Sequence, residues 1–258
     1  MKLLLYIFLS FLIIYSCTIK KASNNLIVET KTYEVNLDTL TLFDSIRNRD
    51  IPIAIYAPKS DKKLKKQQVI IFSHGYGENK GGDYLRYSYL TEYFASKGFY
   101  VVSIQHELST DELLPMDGNI QLTRRPFWER GSENILFVLN YLKEIKSDLD
   151  FDQLTLIGHS NGGDMSVLFA HLHPELVNKV ISLDNRRMSL PRTSKPRIYT
   201  LRSNDFPADE NVLPTKEEQT KFQITVQFTN INHSNMDNDA TGEERKTLNQ
   251  FIETYIKQ

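Results

Sequence analysis

Leu154-Thr155-Leu156-Ile157-Gly158-His159-Ser160-Asn161-Gly162-Gly163-Asp164-Met165 joins an apolar run to an amphipathic segment through a glycine-rich turn. Leu154 to Ile157 is a near-continuous apolar run, as expected of a strand buried on both faces. After the turn, Met165, Leu168, Phe169 and Leu172 follow the i, i+3, i+4, i+7 spacing of a helix with one inner face. Between them Gly158 to Gly162 reads G-x-S-x-G. Five residues of that pattern arise often by chance, but a strand on one side and a helix on the other make it a sharp turn that holds Ser160 at the end of a strand. The glycines have a steric role, because a side chain at 158 or 162 would collide where the strand and helix backbones approach.

Working outward, the same alternation fills the chain. Gln68–Ser73, Phe99–Ile104, Val180–Leu183, Ile198–Leu201 and Ile224–Phe228 are further apolar runs, and Leu26–Leu37 and Ile51–Ala57 are predicted to form an antiparallel start. Helical stripes recur at Leu90, Tyr93 and Phe94, ended by Gly98. They recur at Ile135, Leu139, Leu142 and Ile145 within about Trp128–Lys146, and at Leu248, Phe251, Ile252 and Tyr255. The expected architecture is α/β: one domain over residues 26–258, with a mostly parallel sheet of about eight strands and helices on both faces. Glu107–Pro126 is the longest connection without clear periodicity, and long loops in compact domains are usually functional.

The first residues read differently. Lys2 precedes an apolar run from Leu3 to Tyr15 that is shorter than the about 20 residues needed to span a bilayer, so 1–16 is read as a secretory signal. Ile14-Tyr15-Ser16-Cys17 resembles a bacterial lipobox, although Tyr15 departs from its usual pattern. The expectation is a lipid-modified Cys17, a polar tether over 17–25, and a bacterial cell-envelope location on the periplasmic or cell-surface side. Cys17 is the single cysteine of the 258 residues, so no intrachain disulfide forms. With 31 Lys and Arg against 32 Asp and Glu, the chain lacks the basic excess that phosphate-backbone binding requires, and nucleic acid is not an expected partner.

A serine hydroxyl needs a base, and His233, in a loop after the last strand and before the terminal helix, supplies one. The N–H of Asn161, at a helix N-terminus directly after Ser160, would donate to an oxyanion. From His74 through Ser160 to His233, the order of elements resembles the α/β-hydrolase superfamily over essentially the whole mature chain. Ser73-His74-Gly75, Gln105-His106-Glu107 and the short Leu183–Ile198 connection look most like its lidless members, of the platelet-activating-factor acetylhydrolase and dienelactone hydrolase kind. The resemblance implies Tyr76 N–H as the second oxyanion donor. It also implies an acid partner for His233. Asp205, after the penultimate strand, is favoured; Asp184, where platelet-activating-factor acetylhydrolases and chlorophyllases carry theirs, is the alternative, and Asp209 a third.

Other residues carry two readings. Arg186 and Arg187, with Arg192, Lys195, Arg124 and Arg125, would clamp an anionic substrate group or pair with neighbouring acids. His106 would line the pocket or be a structural histidine, and Phe127 and Trp128 would wall an acyl pocket or anchor their helix. His159 is expected to pack beside the sheet, and His171 and His173 to cap the helix that carries them. No cofactor or metal is implied, since no His, Cys or carboxylate cluster has ligand spacing. The expected activity is hydrolysis of a small-molecule or lipid ester by a serine enzyme. A peptidase or amidase with the same residues, and an inactive binding protein on the same scaffold, are the alternatives.

Overall fold

Residues 32–258 are described by the structure, a computed structural model. The signal segment, Cys17, the tether and the start of the strand expected from Leu26 lie outside the described residues. The apolar runs become strands because each must be covered on both sides. Val69 and Ile71 face a core shared with Trp128, Leu139 and Leu168, whereas Ile70 and Phe72 face a second core with Leu90, Phe94 and Ile252.

In chain order the elements are β1 (Val35–Asp44), β2 (Arg49–Pro58), β3 (Gln68–Ser73), α1 (Ser88–Ser96), β4 (Tyr100–Ile104), α2 (Ile120–Thr123) and α3 (Arg125–Ile145). They continue with β5 (Asp150–His159), α4 (Ser160–Leu172), β6 (Lys179–Leu183), β7 (Arg197–Arg202), α5 (Lys216–Phe222), β8 (Thr225–Phe228) and α6 (Gly242–Lys257). One eight-stranded sheet has the order β1-β2-β4-β3-β5-β6-β7-β8. β1 and β2 are antiparallel, β2 runs antiparallel to β4, and every other pairing is parallel. Helices α3 and α4 cover one face and α1 and α6 the other, as expected for an α/β sheet.

Register places the site. Ser73 of β3 pairs with Ile104 of β4 and with Gly158 of β5, and His159 of β5 pairs with Leu183 of β6, itself level with Leu201 of β7. The loops leaving β3 to β7 therefore start at one level along the sheet's carboxyl edge, where open α/β sheets gather ligands.

Some expectations shift. Among the described residues the first strand is Val35–Asp44, which shares only Val35–Leu37 with the expected Leu26–Leu37 and runs on to Asp44; its alternating Leu40 and Leu42 fit an edge strand with one covered face. Ile145 and Leu172, placed on inner stripes by periodicity, are exposed at helix ends that run past the sheet. Helix α5 begins at a capping box, in which Thr215 and Glu218 satisfy each other's backbone N–H.

The turn from β5 into α4 is as tight as its glycines imply. A Cβ on Gly162 would lie 2.3 Å from the carbonyl oxygens of both Ser73 and His74, and one on Gly158 2.4 Å from the Gly162 carbonyl. Backbone cannot yield there cheaply. Gly162→Ala is expected to cost about 3 kcal/mol or more, a fall of roughly 6–12 °C in Tm. Gly242→Ala, at a position with nothing within 4 Å, should stay within about 0.5 kcal/mol; calorimetry on both variants checks the contrast.

Candidate active site

The tight turn forces Ser160 into the left-handed region, with φ +51°, and so presents its hydroxyl at the carboxyl edge of the sheet. One strand across, Asp184 stands at the matching level just past β6, also left-handed with φ +56°. His233 enters from the loop after β8 and stands between them. Its Nδ1–H donates to Asp184 Oδ2 at 2.6 Å, and its Nε2 accepts from the Ser160 hydroxyl at 3.0 Å. The carboxylate fixes the tautomer, because an ionised oxygen can only accept and the proton must sit on Nδ1.

Asp184 is fully buried. Burial pushes its carboxyl up, but the His233 bond, the Arg202 guanidinium and the Ser203 donors outweigh that and hold it below the usual carboxylate value. Oδ1 accepts from Ser203 N–H at 3.0 Å and pairs with Arg202 Nη2 at 2.8 Å, while Oδ2 also accepts from the Ser203 hydroxyl at 2.6 Å. The favoured expectation, Asp205 at the imidazole, is corrected here. Asp205 accepts from the backbone N–H of His233 at 2.8 Å, so it holds the loop and not the ring. Asp209 pairs with Arg187, away from the imidazole.

The residues around this array are held by a directed chain of hydrogen bonds. Gly75 N–H donates to Tyr87 Oη at 3.0 Å, the Tyr87 hydroxyl donates to His159 Nδ1 at 2.7 Å, and His159 Nε2–H donates to the His233 carbonyl at 3.1 Å. A carbonyl accepts only, so this direction is the one open to a neutral imidazole. His159 thus braces the loop after β3 against the His233 loop. Sequence reading placed it correctly beside the sheet but had no signal for its partners.

Asn161 is clamped in the same way. Its Oδ1 accepts from Trp128 Nε1 at 2.9 Å, and its Nδ2 donates to Glu107 Oε1 at 2.9 Å. Trp128 is fully buried, so it anchors α3 and walls no pocket. The backbone N–H groups of Asn161 and Tyr76 donate to no group among the described residues. Both residues line the space beside Ser160. His106, expected as a possible pocket residue, is instead buried behind it, with its backbone N–H donating to His74 Nε2.

Two shallow cavities meet at Ser160 and His233. One, of about 260 Å³, is lined by Gly75, Tyr76, Asp83, Arg86 and Asp237. The other, of about 290 Å³, is lined by Leu114, Met116, Arg124, Arg186, Arg187 and Phe206. The Phe206 ring stacks on His233 at 5.0 Å, and Arg186 lies over the outer face of Phe206 at 4.2 Å. Of the remaining basic candidates, Arg125 pairs with Glu129 and Arg192 is spent on loop carbonyls and Glu218. Lys195 lines neither cavity.

A sequence profile of the alpha/beta hydrolase fold matches residues 48–235. A serine hydrolase-like protein from Mus musculus is 31% identical over 111 aligned residues, which cover 39% of this chain and 34% of that protein. The match thus spans about a third of that relative's length. Among solved structures, the esterase Est22 superposes with a TM-score of 0.62 at 12% identity, covering 87% of this chain and 82% of Est22. A dienelactone hydrolase from Anabaena variabilis gives a TM-score of 0.55 at 15% identity, covering 85% of this chain and 96% of its own. At these identities the two structures speak for the fold alone.

Burial, and then the proximity of the His233 ring, lowers the His159 imidazole to about 3. In the unfolded chain it titrates near the usual value of about 6.5. Between those values the unfolded state takes up a proton that the folded state does not, so stability falls as pH drops below about 6.5, by up to about 1.4 kcal/mol per pH unit. Urea melts from pH 7 to 4.5 should show this slope in the native protein. His159→Gln, with no imidazole to titrate, should lose that component.

Proposed function

The chain belongs to the α/β-hydrolase fold family, and on that premise we propose that it is a serine hydrolase of carboxylic esters working through an acyl-enzyme on Ser160. The observation that carries the reading is His233 poised between a hydroxyl at 3.0 Å and a buried carboxylate at 2.6 Å. A nucleophile, its base and the base's orienting group stand in hydrogen-bonded series.

In this reading Ser160 Oγ attacks the ester carbonyl as His233 Nε2 takes its proton. Asp184 keeps the imidazole in the required tautomer and stabilises the imidazolium that forms. The carbonyl oxygen, now an oxyanion, accepts from the free N–H groups of Tyr76 and Asn161. Each such donor is typically worth about 10²–10³ in rate. The Asn161 donor also sits at the N-terminus of α4, where the helix dipole favours negative charge. Trp128 and Glu107 act through Asn161 by holding its side chain, and so the turn that carries its N–H. The imidazolium then returns the proton to the departing alkoxide, and water admitted to Ser160 repeats the sequence to release the acid. Two cavities flanking Ser160 suit the two sides of an ester.

Full-length protein in mild detergent should be labelled by a fluorophosphonate probe and should hydrolyse p-nitrophenyl acetate. Ser160→Ala should abolish labelling and lower turnover by about 10³-fold or more. Well-folded native protein that neither labels nor turns over would instead be a binding protein on this scaffold.

A further inference from the structure

The cavity lined by Arg124, Arg186 and Arg187 is built for more than an acyl chain. Three guanidinium groups face it beside Ser160 and His233, and their arrangement is unequal. Arg187 is paired with Asp209 and so is neutralised locally. Arg124 spends Nε on the Pro115 carbonyl and has only the Met116 sulfur against Nη2. Arg186 spends Nε on the Pro207 carbonyl and lies over the Phe206 ring. Neither Arg124 nor Arg186 has a carboxylate within ion-pair distance among the described residues.

The nearby acids are accounted for. Asp164 also lines the cavity, but its Oδ1 is occupied by the N–H groups of Arg187 and Met188 and by Asn185 Nδ2. Asp184 is paired with Arg202 and His233. Against Asp164 and Asp209, the three arginines of the cavity leave an excess of one positive charge. Burial, and then Arg187, lower both guanidinium groups from their usual value, with Asp164 opposing the shift at Arg124 and Asp209, Asp184 and Asp164 opposing it at Arg186. Such mutual repulsion is relieved by a bound anion. Proteins hold like charges together at a cavity wall at some cost in stability, and a planar guanidinium with free Nη groups is the group that matches a carboxylate.

We propose that this cavity receives a free carboxylate on the substrate, so that the preferred esters are monoanions whose carboxylate lies a few bonds from the scissile carbonyl. The inference rests on the serine hydrolase reading of Ser160. A single excess charge matches a carboxylate better than a dianionic phosphate. About 290 Å³, roughly ten water volumes, gives room for a short acid chain. Phe206 links the two functions physically, because its ring contacts both the Arg186 guanidinium and the imidazole of His233.

The test compares kcat/KM for matched pairs in the full-length enzyme at low ionic strength. Mono-p-nitrophenyl glutarate is set against its methyl ester, for a carboxylate on the acyl side. 3-Carboxyphenyl acetate is set against its methyl ester, for the alcohol side. In at least one pair the anion should be preferred about tenfold or more. The preference should shrink as salt rises, and a p-nitrophenyl ester whose acyl chain ends in a quaternary trimethylammonium group should be disfavoured relative to p-nitrophenyl pentanoate. Arg124→Gln and Arg186→Gln should each reduce the anion-to-neutral ratio, whereas Arg125→Gln, outside the cavity, should not. Enzyme that labels with fluorophosphonate yet cleaves the neutral esters as well as the anions in both pairs would overturn the proposal. Absence of labelling and of all turnover would strike the serine hydrolase reading instead.

Discussion

Everything at the carboxyl edge of the sheet is arranged around one fully buried carboxylate. Asp184 has no water to solvate it, and an ionised group in that position is tolerated only if the protein supplies the donors. It does so from two separate segments: Arg202 and Ser203 from the end of β7, and His233 from the loop after β8. Removing one donor would leave charge unbalanced in the interior, so the positions of β7 and of the His233 loop are tied to it. The imidazole is oriented as a by-product of satisfying that charge.

A second set of constraints fixes the other side of Ser160. The hydrogen-bonded series from Gly75 through Tyr87 and His159 to the His233 carbonyl joins the loop after β3, helix α1, the turn and the His233 loop. The Trp128–Asn161–Glu107 clamp adds α3 and the loop after β4. These groups are buried, so each bond left unmade would cost about 1–3 kcal/mol. Tyr76 and Asn161, whose backbone N–H groups have no partner among the described residues, line this braced space, as the proposed stabilisation of an oxyanion requires.

Much of this was legible in the amino-acid order, and the reasons differ by residue. Ser160 stood out because glycines on both sides of a serine, between a strand and a helix, are required only where two backbones nearly touch. The 2.3 Å clearance at Gly162 bears that out. His233 followed from its loop after the last strand. The acid did not, because Asp184 and Asp205 follow adjacent parallel strands and either reaches the same imidazole in a one-dimensional reading. What separates them is register and backbone: Asp184 stands level with Ser160 and takes a left-handed φ, whereas Asp205 faces a backbone N–H. The partners of His159 and Asn161 come from residues distant in sequence, Tyr87, Trp128 and Glu107, that only the folded sheet brings together. The edge strand β1 was displaced in the sequence reading because its apolar residues alternate with polar ones and read as a polar connection.

The proposed catalysis turns on Asp184 being the carboxylate that orients His233. Its most direct measurement is kcat/KM for Asp184→Asn beside Asp205→Asn, both purified as folded protein and assayed on the same p-nitrophenyl ester. Asp184→Asn should fall by about 10⁴-fold, because an amide favours the wrong imidazole tautomer. Asp205→Asn, whose side-chain oxygen can still accept the His233 N–H, should stay within about tenfold of the native enzyme. The reverse order would contradict the account, assigning the acid to Asp205 and leaving the buried Asp184 a structural ion.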